Sequence, residues 1–187
     1  MNPAIETLIA KWAEPDGVPF KGELISSDGC MCAQGQALHY VGGWSPDRLR
    51  GVIQSVADRE TARLLDISVT HAVLLRQVND ARPGAPSVVL TDPVQVLGDQ
   101  AETVLAFWRH LDRMTAEQWD AARDAARAAA GGAARAAAWD AAGGAAWDAT
   151  NEIQGARVLR ERGQPFTFLP MFGFADPEAV LAAENDR

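Results

Sequence analysis

Apolar residues recur at helical spacing from the start of the chain. Ile5, Leu8, Ile9 and Trp12 share one face behind Asn2-Pro3, which reads as an N-cap followed by proline at the first helical position. A helix over 3–13 is predicted, ended by the turn residues Glu14-Pro15-Asp16-Gly17. Residues 18–29 are ambiguous, with Phe20 to Ile25 either a short strand or an extended loop. Cys30 to Val41 then reads as a helix stopped by Gly42-Gly43. Ser45-Pro46 starts another, with Leu49, Val52, Ile53 and Val56 at helical spacing, and Asp58 to Leu65 continues or restarts it. Thr70 to Val78 forms the next helix, and Asn79 to Pro86 a loop with Pro83-Gly84 as its strongest breaker. Val88-Val89-Leu90 is the best strand candidate. Thr91-Asp92-Pro93 caps a short helix through Leu97. Asp99 opens a longer one, in which Val104, Leu105, Trp108 and Leu111 make a buried stripe.

Thr115 and Gln118 have the spacing of a capping box. From Trp119 the chain falls into a four-residue register, WDAA, RDAA, RAAA, GGAA, RAAA, WDAA, GGAA, WDAT, closed by NEIQ. Alanine is the best helix former and Asp ahead of Arg at i,i+3 adds to it, so helix is predicted. Gly131-Gly132 and Gly143-Gly144 each cost about 2 kcal/mol relative to Ala-Ala, and mark either helix breaks or points of close helix contact. Four residues advance a helix by about 400°, so each tetrad drifts about 40° and the large residues form a ridge beside an alanine groove. Such a surface suits packing at steep crossing angles and not a parallel coiled coil. After Ile153, Val158 and Leu159, Gly163-Gln164-Pro165 ends the helix. The run Phe166 to Phe174 holds four Phe, a Leu and a Met, too apolar to lie in water, and is read as a strap closing the core. Asp176-Pro177-Glu178 caps a last helix over 177–184.

The expected fold is therefore mainly α, a single-domain helical bundle around a long alanine-rich helix or helix pair, with at most a minor strand component. Residues 1–113 form a helical layer, 116–160 the repeat helices, and 165–187 the strap and terminal helix. Composition agrees: 187 residues with 48% hydrophobic and 22% charged are those of a folded domain.

A net charge of −8 argues against nucleic acid as partner, because phosphate contacts need clustered Lys and Arg. It leaves room for a basic protein. Arg and Asp interrupt the alanine region too often for a membrane span, and the N-terminus has no basic segment before an apolar core. Two cysteines one residue apart make no disulfide framework, so a cytoplasmic protein is expected.

Candidate chemistry is sparse. Cys30, Cys32, His39 and His71 are the possible ligand, metal or nucleophile residues. On a helix, positions i and i+2 point about 200° apart, so both thiols cannot face one ion there. Cys32 ahead of Ala33-Gln34-Gly35 can open a helix, whose N-terminus lowers a thiol pKa. Buried structural cysteine is the plainer reading. Asp58, Glu60 and Asp66 read as a solvated face. No cofactor is expected.

The stretch Asp28-Gly29-Cys30-Met31-Cys32-Ala33-Gln34-Gly35-Gln36-Ala37-Leu38 resembles the Cys-Ala-x-Gly-Ala-type segment of small uncharacterised proteins of actinobacteria and their phages, with Gln36 where a small residue is expected. The Trp-Asp-Ala-Ala tetrads and the closing Phe-Leu-Pro-Met-Phe-Gly-Phe are similar to segments of the same group. The resemblance implies an accessory protein of a phage or mobile element and brings no catalytic residues with it. A non-enzymatic protein acting on a host protein is expected, with Trp44, Trp139, Trp147, Phe166, Phe168, Phe172 and Phe174 as candidate contact residues, since aromatics supply anchoring area. The alternatives are a small-molecule or metal-binding protein or enzyme using the Cys32, His39 and His71 region, and a homo-oligomer assembled through the alanine groove.

Overall fold

The computed structural model describes residues 2–81, 86–128 and 169–186. The rest of the tetrad repeat, with Gly131-Gly132, Trp139, Gly143-Gly144 and Trp147, lies outside the described residues, as do Pro83-Gly84, Gly163-Gln164-Pro165, Phe166 and Phe168. The protein is mainly helical. Its described residues contain a single isolated antiparallel bridge, Ile25 to Met31, and no longer strand. The chain divides into two compact units, Met1–Ala101 and Glu102–Arg187.

In the first unit, α1 (Pro3–Trp12) starts where the sequence places it. The Asn2 side chain accepts from the Ala4 amide at 2.8 Å, a cap worth about 1 kcal/mol. Asn2 Nδ2 also donates to the Leu65 carbonyl at 3.0 Å, tying α1 to a residue 63 positions further along the chain. The helix expected from Cys30 begins only at Ala33: α2 (Ala33–Gln36) is capped by Cys32 and runs into a π-helical turn, Ala37–Val41. Residues 30 and 31 stay extended because Met31 pairs with Ile25 and the Met31 carbonyl accepts from Phe20. Next come α3 (Pro46–Gly51) and α4 (Gln54–Leu65), separated by extended Val52 and Ile53. α5 (Val69–Ala81) runs past Val78, so the expected loop at Asn79 is a helix end with Asn79 buried.

Val88-Val89-Leu90 is not a strand but the start of α6 (Val88–Thr91). The Val89 amide donates to Pro86 and those of Leu90 and Thr91 to Ser87, a turn that overrides the β-branched preference of an isolated valine pair. A short α7 (Val94–Leu97) follows. The core gathers Leu24, Ile25, Cys32, Leu38, Trp44, Leu49 and Ala57, with Met31, Val52, Val56 and Leu64 packed against it. α4 packs on α5, and α2 with its π turn packs on both α4 and its own neighbours.

The second unit holds most of α8 (Ala101–Arg113), then α9 (Ala116–Ala128), a 3-10 turn (Leu169–Phe172) and α10 (Pro177–Asn185). The Thr115–Gln118 capping box forms reciprocally, amide to side chain in both directions. α9 is the opening of the alanine-rich repeat. Phe107 of α8 meets Phe172 edge-on at 5.1 Å and Phe174 at 6.5 Å, and Trp119 meets Phe172 at 6.1 Å. Phe172 and Phe174 are thus core residues, held by the aromatic packing that their run of apolar side chains demands.

α10 is fastened to α8 by Glu184, which takes Arg109 Nε at 2.6 Å and Arg113 Nη2 at 2.5 Å. Partial burial works to raise the Glu184 carboxyl, and the hydrogen bonds from Arg113 and Arg109 outweigh it, holding the carboxyl below the ordinary glutamate value. A carboxyl depressed in the folded state contributes stability above its unfolded pKa, and that contribution disappears as pH falls through the lowered folded pKa. Acid titration of the α10 amides by NMR is expected to show this loosening, and Glu184→Gln to remove its pH dependence. An unchanged titration in the variant counts against the latch.

Candidate functional site

The residues with the most chemistry converge on the first turn of α2. Ala33, Gln34, Gly35 and Gln36 are all buried there, although two of the four are polar amides. Gly35 is fixed by close approach: a Cβ on it would lie 1.9 Å from the Leu24 carbonyl oxygen. Gln34 Nε2 donates to Asp58 Oδ1 at 2.8 Å and to the Ala72 carbonyl at 3.0 Å. Gln54 Nε2 donates to Gln34 Oε1 at 2.7 Å and to Asp58 Oδ1 at 2.8 Å. Arg76 brings its guanidinium to 3.7 Å from the same carboxylate oxygen. Asp58 is therefore not on a solvated face, as its spacing with Glu60 and Asp66 led one to expect. It is buried among amides that supply the hydrogen bonds a carboxylate needs when removed from water.

A second set of polar contacts pins the segment from Gly17 to Cys32 onto this centre. Gln36 Nε2 donates to the Gly17 carbonyl at 3.1 Å, and Asn79 Nδ2 to the Phe20 carbonyl at 2.7 Å. Asp80 Oδ1 accepts the Gly22 amide at 2.9 Å, and the Phe20 amide donates to the Met31 carbonyl at 2.8 Å. Across this stretch burial alternates as in a half-covered strand: Gly17 and Pro19 are buried while Val18 and Phe20 are 56% and 43% exposed. The next exposed aromatic, Tyr40 at 45%, is linked to them through Lys11, whose ammonium lies 5.3 Å from the Tyr40 ring centroid and whose carbonyl abuts Gly17.

The residues expected to hold a ligand are placed apart. Cys30 is exposed in the turn with Ser26, and Cys32 is fully buried. His39, on the π turn, lies 2.7 Å through Nδ1 from the Trp44 carbonyl, and His71, at the head of α5, lies 2.8 Å through Nε2 from the Val89 carbonyl. A carbonyl only accepts, so each of these ring nitrogens carries the proton and donates it. Among the described residues no group of three or more His, Cys, Asp and Glu is placed to hold a metal ion.

Cys32 does cap a helix, its Sγ accepting from the Gly35 amide at 3.4 Å. Burial nevertheless outweighs the Gly35 and Gln34 backbone donors and pushes the thiol above its ordinary value. The N-terminal helix position thus does not lower this thiol. The expected result with a thiol reagent is one fast-reacting group, Cys30, and a second, Cys32, that reacts only when the protein unfolds. Two fast thiols in the native protein would contradict the burial.

Trp44, expected on a contact surface, belongs to the core at 4% exposure, with the Arg48 guanidinium 3.5 Å from its ring centroid. Asp58 and Arg76 could have been found in the sequence by register. Asp58 falls at i with Thr61, Ala62 and Leu65 at i+3, i+4 and i+7, all buried, and Arg76 sits between Ala72 and Asn79 on the buried stripe of α5. No protein-family model, curated protein or solved structure matches the chain.

Proposed function

We propose that this chain is a non-enzymatic interaction protein, a cytoplasmic accessory protein of a phage or mobile element, which binds a host protein through the face carrying Val18, Phe20 and Tyr40. The observation that carries this reading is the pairing of exposed apolar side chains with a backbone pinned at Gly17, Phe20 and Gly22. A segment ordered in advance loses little conformational freedom on binding, which favours recognition. His39, His71 and the buried thiol are engaged in holding the fold, which supports a binding role over a catalytic one.

Recognition here runs through side chains. Pro19 has no amide to donate, and the Gly17 and Phe20 carbonyls are already occupied, so the segment is poorly suited to accept an added strand. The exposed acids Asp16, Glu23 and Asp28 on the same segment, with the net charge of −8, favour a partner whose contact surface is basic around an apolar centre. Among the described residues no helix is long and apolar enough to cross a membrane.

The test is a Val18→Asp/Phe20→Asp double variant compared with wild type by in-cell photocrosslinking from position 40. Both substitutions are exposed, so the thiol pattern of the native fold should persist while the crosslinked partner disappears. An unchanged crosslinked partner in the folded double variant removes this face from the function.

A further inference from the structure

In an Asp-Gly dipeptide the aspartate carboxyl can react with its own backbone, because glycine puts no side chain in the way of the following amide nitrogen. The chain holds two, Asp16-Gly17 and Asp28-Gly29, and the fold treats them differently. Gly17 is buried and held on both sides of its Cα. Its amide donates to the Glu14 carbonyl at 3.0 Å and its carbonyl accepts Gln36 Nε2 at 3.1 Å. The Lys11 carbonyl approaches so closely that a Cβ on Gly17 would lie 1.7 Å from its oxygen. Turning the Asp16-Gly17 peptide toward the Asp16 carboxyl would break these contacts together.

Asp28-Gly29 sits at the tip of a tight turn. The Ser26 amide donates to the Cys30 carbonyl at 2.8 Å and Ile25 bridges Met31, with Ser27, Asp28 and Gly29 exposed between them. Gly29 is left-handed, at φ 87°, and nothing lies within 4 Å of its Cβ position. Its amide donates to the Ser26 carbonyl at 3.1 Å, and such a bond at an exposed tip opens locally at little cost. We infer that Asp28 is a site of spontaneous backbone isomerisation and that the fold protects Asp16 from the same reaction. The Gly29 nitrogen bonds to the Asp28 side-chain carboxyl carbon, and its proton leaves with the carboxyl hydroxyl as water, closing a succinimide. Water then breaks the bond from nitrogen to the main-chain carbonyl carbon, giving isoaspartate with a free α-carboxylate, or breaks the other and restores aspartate. Isoaspartate carries the main chain through the former side chain and adds a methylene between Ser26 and Cys30. The register of that pairing sets the Met31 carbonyl 2.8 Å from the Phe20 amide, so the product slackens the 17–22 segment. The reaction does not depend on the partner proposed for that segment.

The test is incubation of the full chain at neutral pH and physiological temperature, with isoaspartate read site by site by peptide mapping with electron-transfer fragmentation. In the folded chain it is expected to accumulate at Asp28 at least roughly tenfold faster than at Asp16, and in urea at similar rates at both. Asp28→Glu, whose longer side chain would have to close a larger ring, is expected to abolish the product at 28 while Cys32 stays protected. Hydrogen exchange at the Phe20 amide should quicken in the isomerised fraction, and an unchanged rate there overturns the link to the 17–22 segment. Equal accumulation at both sites in the folded chain, or product at Asp28 only after unfolding, overturns the inference itself.

Discussion

Gly35→Ala is expected to destabilise the first unit by about 3 kcal/mol or more, read as a fall in denaturation midpoint. The direction is the informative part. In an open helix, alanine in place of glycine stabilises by about 1 kcal/mol. Here the new Cβ would sit 1.9 Å from the Leu24 oxygen, 2.9 Å from its carbon and 3.2 Å from the Met31 Cβ. The first two are backbone atoms, and the Leu24 carbonyl also accepts the Cys32 amide at 3.3 Å. Relief would require lifting residues 24–32 away from α2, which also loosens the segment bearing Val18 and Phe20. A neutral or stabilising result would show that the two backbones do not approach this closely.

Asp58→Ala carries the second large effect, again about 3 kcal/mol, because removing one member of a buried charged network strands the others. Gln34 and Gln54 lose the acceptor they share, and Arg76 loses its only carboxylate among the described residues. Asp58→Asn separates hydrogen bonding from charge. It keeps an oxygen for the glutamines and is expected to cost roughly 1–2 kcal/mol. Chemical denaturation of the two variants checks the order. Equal and small losses would mean that the carboxylate is solvated after all.

Elements with local signals were legible in the sequence. The Asn2-Pro3 and Asp176-Pro177 caps and the Thr115–Gln118 box all form, because a cap is decided by residues two or three positions apart. The misreadings have non-local causes. Val88–Leu90 looks extended in isolation, yet the Pro86-Ser87 turn and the His71 bond to the Val89 carbonyl hold it as a helix turn. Asp58 looks solvated beside Glu60, and only the arrival of Gln34 from α2 buries it usefully. The Cys-Ala-Gln-Gly-Gln stretch stands out in the sequence, but for its cysteine; its glutamines prove to be the organising residues. Trp44, Phe172 and Phe174 show the limit of reading aromatics as anchors, since a core needs them as much as an interface does.

The pins on the 17–22 segment also set an order of events in folding. Asn79 reaches Phe20 across 59 positions of sequence, and Gly22 reaches Asp80 across 58. Helix turns close in microseconds or less, whereas contacts of such separation wait for the chain between them to collapse. On a ribosome, residues 18–20 emerge long before the end of α5 and stay without their clamps until it follows. The surface proposed to meet a partner is therefore completed late, so a nascent chain is poorly equipped to engage that partner before the end of α5 at Ala81 has emerged.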